Sequence, residues 1–266
     1  MGGMRVVIFC GGFGVRMGDE THKIPKPMIT VGGRPILWHI MRWYASWGFN
    51  DFVLCLGYKA ECIKEYFLTY NEALSNDFVL SNGGRDVELL RSDISHWRIT
   101  FVDTGVRSTI AERLLAVARH LDGDYFLATY GDGLTDAPLT DMIDRLRESG
   151  KTALILSVRP FFNAHVLDAV ADGTVRSITD MQQANVRING GFFVFRRDVL
   201  DYVKPGEELV NEPFRRLIDR GELIAYRHDG FWEPMDTIKD KQRLDALAES
   251  GKPPWEHVGL ETSIAH

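Results

Sequence analysis

RVVIFCGGFGVRMGDETHKIPKPM, residues 5–28, joins a short apolar run to a glycine loop and then to a lysine between two prolines. Valine, isoleucine and phenylalanine ended by glycines read as a buried strand. Glycines 11, 12 and 14 permit positive φ and leave no side chain to hold a ligand off the backbone. Successive N–H groups there can form a concave nest for an anion. The loop is not a Walker A loop, because no Gly-Lys-Ser/Thr closes it. It is not the dinucleotide fingerprint either: the third glycine would fall at Met17, and Gly18 comes one residue late. Alone, it suits phosphate binding or a plain tight turn. Arg16 and Lys26 favour the anion. Pro25 and Pro27 fix φ on either side of Lys26 and set one positive charge on stiff backbone. A solvated lysine in a turn is the plain alternative.

The alternation continues outward from this stretch. RPILWHIMRWYASWGF (34–49) reads as a helix, DFVLCLGY (51–58) as a strand and AECIKEYFLTY (60–70) as a helix. RITFVD (98–103) reads as a strand, and STIAERLLAVARHL (108–121) as a helix with Ser108 as its N-cap. DYFLATYGD (124–132) is a strand running into Gly131-Asp132-Gly133, and 138–150 is a helix closed by Gly150. This texture predicts an α/β fold, a mainly parallel sheet with helices on both faces. Ligands of such sheets sit beyond the carboxyl ends of the strands, where both glycine turns fall. After residue 150 the chain turns β-rich. Strands are expected at 152–160 and 190–197, with a hairpin at 166–178 around Asp172-Gly173. A helix (212–221), a strand (222–228) and a helix (237–250) follow.

The 266 residues carry 45% hydrophobic and 26% charged side chains and a net charge of −6. That is enough apolar material for one large core. A mildly acidic chain argues against nucleic acid and against an anionic membrane surface. No apolar run is long enough to span a bilayer. Cys10, Cys55 and Cys62 have no metal-ligand spacing and read as reduced thiols of a cytoplasmic protein.

Two carboxylates stand out. Asp132 follows a buried strand between glycines, and Asp236 lies in GFWEPMDT (230–237), before the last helix. Convergent carboxylates make a hard oxygen site of the kind Mg²⁺ takes together with substrate phosphates. Their plain readings are a turn residue and a residue of the helix N-cap region. Trp38, Trp43, Tyr44 and Trp47 lie at helical spacing and read as core or subunit interface rather than a base-stacking surface.

GGFGVR, PKPM, GGRPILWHIM, GYKAECIKEYF, DTG, YGDG, INGGFFVF and GFWEPMDT together resemble the bacterial sugar-1-phosphate nucleotidyltransferases, most nearly the cytidylyltransferases that act on glucose 1-phosphate. The likeness runs from about residue 5 to 256. It implies the nucleotide-diphospho-sugar transferase fold, Rossmann-like with a mixed sheet, as a single domain over 1–266. Within it a nucleotide-binding part would reach about residue 150, a β-rich acceptor part would span about 151–235, and a C-terminal helix about 237–250. It implies Mg²⁺-dependent attack of a sugar phosphate on CTP with loss of pyrophosphate. By position, Arg16, Lys26 and Asp132 would be catalytic. Cys10, Gly11, Gly12, Phe13, Gly14, Arg16, Lys26, Ser108, Arg113, Gly131 and Asp132 would border the nucleotide. Asn163, His165, Arg187, Asn189, Gly190 and Trp232 would border the acceptor, and Asp132 and Asp236 would hold the metal. A homo-oligomer is implied as well.

The chain also departs from that pattern. Val15 stands where relatives carry Thr or Ser, and Ile110-Ala111-Glu112 replaces a Gly-rich stretch before Arg113. Glu112 would repel a triphosphate unless it points away. Asp180-Met181-Gln182 stands where relatives have Glu-Lys-Pro, and Asn163-Ala164-His165 replaces Arg-Phe-Gly. Arg187 is a candidate substitute for the lost lysine. Nucleotide and metal residues are largely kept while the acceptor side is rewritten. The acceptor is therefore either glucose 1-phosphate or another phosphate, such as a modified sugar, a polyol phosphate or a phosphorylated amino-acid derivative. UTP or dTTP in place of CTP, and a non-catalytic nucleotide-sugar sensor or partner subunit, are the alternatives.

Overall fold

Seven strands form the central sheet of the computed structural model, which describes residues 3–12, 24–160, 164–181 and 183–256. They are β1 (Val6–Phe9), β2 (Asp51–Leu56), β3 (Arg98–Asp103), β4 (Tyr125–Tyr130), β5 (Ala153–Val158), β6 (Ile188–Arg196) and β7 (Leu223–His228). Their order is β7-β5-β6-β4-β1-β2-β3. Only β6 runs against its neighbours; every other pairing is parallel. The α-helices among the described residues are α1 (Ile36–Ser46), α2 (Ala60–Leu68), α3 (Ile110–Val117), α4 (Leu139–Ser149), α5 (Glu212–Asp219) and α6 (Ile238–Glu249).

The β1 strand shows why its sequence is apolar throughout. Val6, Ile8 and Cys10 join the core that includes α1 and α4, while Val7 and Phe9 join the opposite core with α3 and α5. A strand buried on both faces has no polar alternation. Trp43 and Tyr44 of α1 are buried, with Trp43 edge-on to Phe192 at 5.3 Å, as the core reading of that helix expects.

Three local features differ from expectation. The N-cap of α3 is Thr109, not Ser108: Thr109 Oγ1 accepts from Glu112 N at 3.1 Å and Glu112 Oε2 accepts from Thr109 N at 2.9 Å. Reciprocal bonds satisfy two orphan donors at once, which one serine at 108 could not do. Residues 34–35 belong to a small ribbon with 30–31, so α1 begins only at Ile36. Two further ribbons went unread, Phe78–Ser81 with Asp86–Leu89 and Gly133–Thr135 with Trp232–Pro234. The expected hairpin is present, as His165–Ala169 paired with Val175–Asp180. No helix among the described residues is long and apolar enough to cross a membrane.

One buried polar contact carries a pH prediction. His39 Nε2 donates to Val31 O at 2.8 Å, and Trp255 Nε1 donates to His39 Nδ1 at 3.3 Å. Those bonds require the neutral imidazole. Burial lowers the His39 pKa, only partly opposed by the bond to Val31. Below the ordinary histidine value, near 6.5, the unfolded chain binds a proton that the folded chain refuses. The His39 contribution is present above that value and lost as pH falls from there through the folded pKa. We expect the melting temperature to fall between pH 7.5 and 5.5, and H39Q to flatten that slope; equal slopes would contradict the assignment.

Candidate active site

β1 and β4 lie side by side at the centre, and the chain leaves β1 toward β2 and β3 but continues from β4 toward β5 and β6. This is the switch point at which open α/β sheets take ligands. Gly11 and Gly12 continue from β1; Gly131 and Asp132 continue from β4.

Lys26 reaches this crevice from a single 3₁₀ turn, Lys26–Met28, preceded by Pro25 in an extended conformation. The turn can lie against the end of β4 because residue 131 is glycine. A Cβ there would come within 3.1 Å of Phe9 O and of Pro27 Cγ. The Lys26 ammonium then donates to Asp132 Oδ2 at 2.6 Å and Asp236 Oδ1 at 2.7 Å. Its side chain is 12% exposed. Burial opposes the charge, but Asp132 and Asp236 outweigh that and raise the Lys26 pKa, so the ammonium is held charged.

The two carboxylates are far apart in sequence, and a ribbon brings them together. Gly133 pairs with Pro234, Leu134 with Glu233 and Thr135 with Trp232. Met235 N extends the ladder by donating to Asp132 O at 2.8 Å. Asp132 and Asp236 are thus set side by side at one end of the ribbon. Asp236 also precedes α6, whose capping box is Thr237 with Asp240, and a helix N-terminus favours a carboxylate. Below the ribbon, buried Glu233 binds Arg243 of α6 at 2.7 Å, tying the helix to the strand that leads to Asp236. Burial raises the Glu233 pKa, with Arg243 opposing.

A cavity of about 200 Å³ opens beside the triad, lined by Tyr130, Asp132, Asn189, Gly190, Trp232 and Asp236 among others. Trp232 Nε1 donates to Gly190 O at 2.7 Å, fixing the indole as one wall. Asn189 Oδ1 accepts from Gly191 N at 2.9 Å. Burial, then the Asp132 charge, pushes the Tyr130 phenol up to about 12, so it stays a neutral hydroxyl.

Of the residues singled out in the sequence, Lys26, Gly131, Asp132 and Asp236 come together, and Asn189, Gly190 and Trp232 wall the cavity. Phe13, Gly14, Arg16 and Asn163 lie outside the described residues. Three residues expected beside a ligand place their side chains elsewhere in the described structure. Cys10 points into the core, fully buried, so only its backbone can border a ligand. His165 is exposed at the start of the outer hairpin and does not line the cavity. Arg187 does not line it either: Nη1 donates to Ser157 O at 2.7 Å and His228 O at 3.2 Å, and Nη2 pairs with Asp229. It ties the ends of β5 and β7 together. Ser108 donates to Thr104 O, and Arg113 is buried under the Gly11 loop with its pKa lowered by burial. Glu112 does point away from the crevice, with Oε1 accepting from Gly206 N at 3.1 Å. Tyr130, which walls the cavity, was quoted in the strand and in the YGDG motif but given no role; its place just before Gly131-Asp132 was the available signal.

A family model described as Nucleotidyl transferase matches residues 5–259. The chain is 41% identical over 255 residues to the glucose-1-phosphate cytidylyltransferases of Salmonella typhi and Salmonella typhimurium, covering 95% of this chain and 98% of each relative. The solved structure of a UDP-glucose pyrophosphorylase with UDP-glucose superposes with a TM-score of 0.70 at 14% identity, over 94% of this chain and all of that one. With the strand order, the switch-point crevice and the Lys26–Asp132–Asp236 triad already in place, these matches make the chain a member of the nucleotidyl transferase family.

Proposed function

We propose that the protein transfers a cytidylyl group from CTP to glucose 1-phosphate. A phosphate oxygen of the sugar phosphate attacks the α-phosphorus, the bond to the bridging β-phosphate oxygen breaks, and pyrophosphate leaves. The observation that carries this is the Lys26 ammonium held between Asp132 and Asp236 at the switch point. The names of the Salmonella relatives support CTP and glucose 1-phosphate.

The two aspartates fit a divalent cation. Both already grip one cation, and their donors are hard oxygens. Two aspartates are enough for Mg²⁺, which takes one or two carboxylates and completes its shell with phosphate and water. When bound, it would neutralise phosphate charge at the reacting centre. Lys26 would place its ammonium on the α-phosphate, where charge grows in the transition state. Gly11 and Gly12 would present backbone to the polyphosphate. Asn189, Gly190 and Trp232 would hold the acceptor in line. No side chain need remove a proton, because the attacking phosphate is already anionic. The work is positioning and electrostatics. An assembly of identical chains and a cytoplasmic setting belong to the same reading.

A second acceptor has one observation in its favour. The family's acceptor lysine is missing at Asp180-Met181-Gln182, and Arg187 is engaged with backbone carbonyls and Asp229. Pyrophosphate release with CTP and Mg²⁺ against a panel of phosphorylated metabolites decides. Release with glucose 1-phosphate above all others supports the first reading; silence there with release from another phosphate replaces it.

A further inference from the structure

Arg113 is 3% exposed, and a charge so deeply placed needs full hydrogen bonding. It has that, but from neutral groups. Nη1 donates to Thr104 Oγ1 at 2.7 Å and Leu56 O at 3.1 Å, and Nη2 donates to Gly11 O at 3.0 Å and Val106 O at 3.4 Å. Among the described residues no carboxylate forms an ion pair with it. Glu112, next in sequence, is spent on the α3 cap and on Gly206 N. Asp103 turns to Gly105 N at 3.0 Å. The positive charge therefore sits without a direct ion pair among the described residues, beneath the start of the glycine loop, with Asp103 and Glu112 acting on it only at a distance.

Its acceptors come from the carboxyl ends of three adjacent parallel strands. Gly11 follows β1, Leu56 ends β2, and Thr104 and Val106 follow β3. The packing leaves no room for other residues at two of these points. A Cβ on Gly11 would lie 2.0 Å from Arg113 Nη1, and one on Gly57 would lie 2.9 Å from the same atom and 3.0 Å from Gly11 Cα. The glycines make space for the guanidinium as well as for a ligand.

The bond to Gly11 O has a directional consequence. In a planar trans peptide the carbonyl and the following N–H point opposite ways. With Gly11 C=O turned down onto Arg113, Gly12 N–H is turned up, and Gly12 is exposed. We propose that Arg113 is a positioning residue for the nucleotide's phosphates, acting through the Gly11–Gly12 peptide without touching base or ribose. The buried cation locks that peptide so that its N–H faces the polyphosphate. It also polarises the peptide in the sense that favours an anion on the far side. This deepens the nucleotide reading and rests on it.

The test compares two probes by calorimetry: CTP, and inorganic tripolyphosphate, which has no base or ribose. R113K keeps the charge but cannot span four acceptors. T104V, which removes one neutral acceptor, is the milder partner should R113K fold poorly, and melting temperatures are recorded for both. We expect R113K to weaken both probes by the same factor, about 10- to 100-fold, the scale of one lost charge-assisted hydrogen bond. T104V should give a smaller loss, again parallel for the two probes. Loss of CTP affinity with tripolyphosphate unchanged would mean that the guanidinium reads the base or ribose, and would overturn the proposal. So would unchanged affinity for both probes with only the melting temperature lowered. Wild-type protein that binds neither probe would instead overturn the nucleotide reading itself.

Discussion

Lys26→Met lowers turnover by about 10²–10³-fold, the scale of one lost charge-stabilising donor at a reacting centre. The reason lies in the geometry at 2.6 and 2.7 Å: one ammonium faces two carboxylates and stands ready for an anionic phosphate. The same change has a second readout that needs no catalysis. In the wild type the ammonium occupies the point between Asp132 and Asp236 and competes there with any added cation. In K26M that occupant is gone. Divalent metal added without nucleotide should raise the melting temperature of K26M more than that of the wild type, since a ligand stabilises the fold it binds. Equal shifts in the two proteins would contradict the bracketing role given to the aspartates.

Trp255→Ala destabilises the chain by about 3–5 kcal/mol, the usual range for a large buried aromatic cut to alanine. The indole is 2% exposed. It packs on Phe231 with centroids 5.7 Å apart and edge-on to His39 at 5.8 Å, and its N–H serves His39 Nδ1. It thus joins α1 to the segment that leads through Trp232 to Asp236. Truncation leaves a cavity and strips the buried imidazole of one partner. A fall in melting temperature of roughly 10 °C is expected for a domain of this size. A fall below about 2 °C would mean that this end of the chain is not part of the core.

The sheet strands were legible because each of them is long enough to show an apolar run, and α4 because Gly150 closes it at φ 64°. The ribbon that brings Asp132 to Asp236 was not. Its strands are three residues each, too short for any periodicity, and their pairing is a tertiary fact. The two aspartates could be picked out from their glycine and proline neighbours, but their meeting could not. Phe78–Ser81 and Asp86–Leu89 did carry a signal, the alternating DVEL and the apolar FVL on either side of Asn82-Gly83-Gly84, although both strands are exposed at every position. The surroundings of Arg113 were hidden for a different reason. The resemblance placed it beside the nucleotide; its burial depends on carbonyls at three strand ends and on Gly11 and Gly57, none of which a local pattern reveals. The partners of Arg187 were hidden in the same way, since the carbonyls of Ser157 and His228 meet only when β5 and β7 pair.

The central claim is that CTP is cleaved at the α-phosphorus by an acceptor phosphate at the Lys26–Asp132–Asp236 crevice. Phosphorus NMR of the protein with CTP, glucose 1-phosphate and Mg²⁺ follows the bonds themselves. The account predicts that the triphosphate signals give way to pyrophosphate and a phosphate–phosphate linkage joining nucleoside to sugar, and that D132N leaves CTP intact. CTP that persists with every phosphorylated acceptor, or a D132N protein that turns over like the wild type, would contradict it.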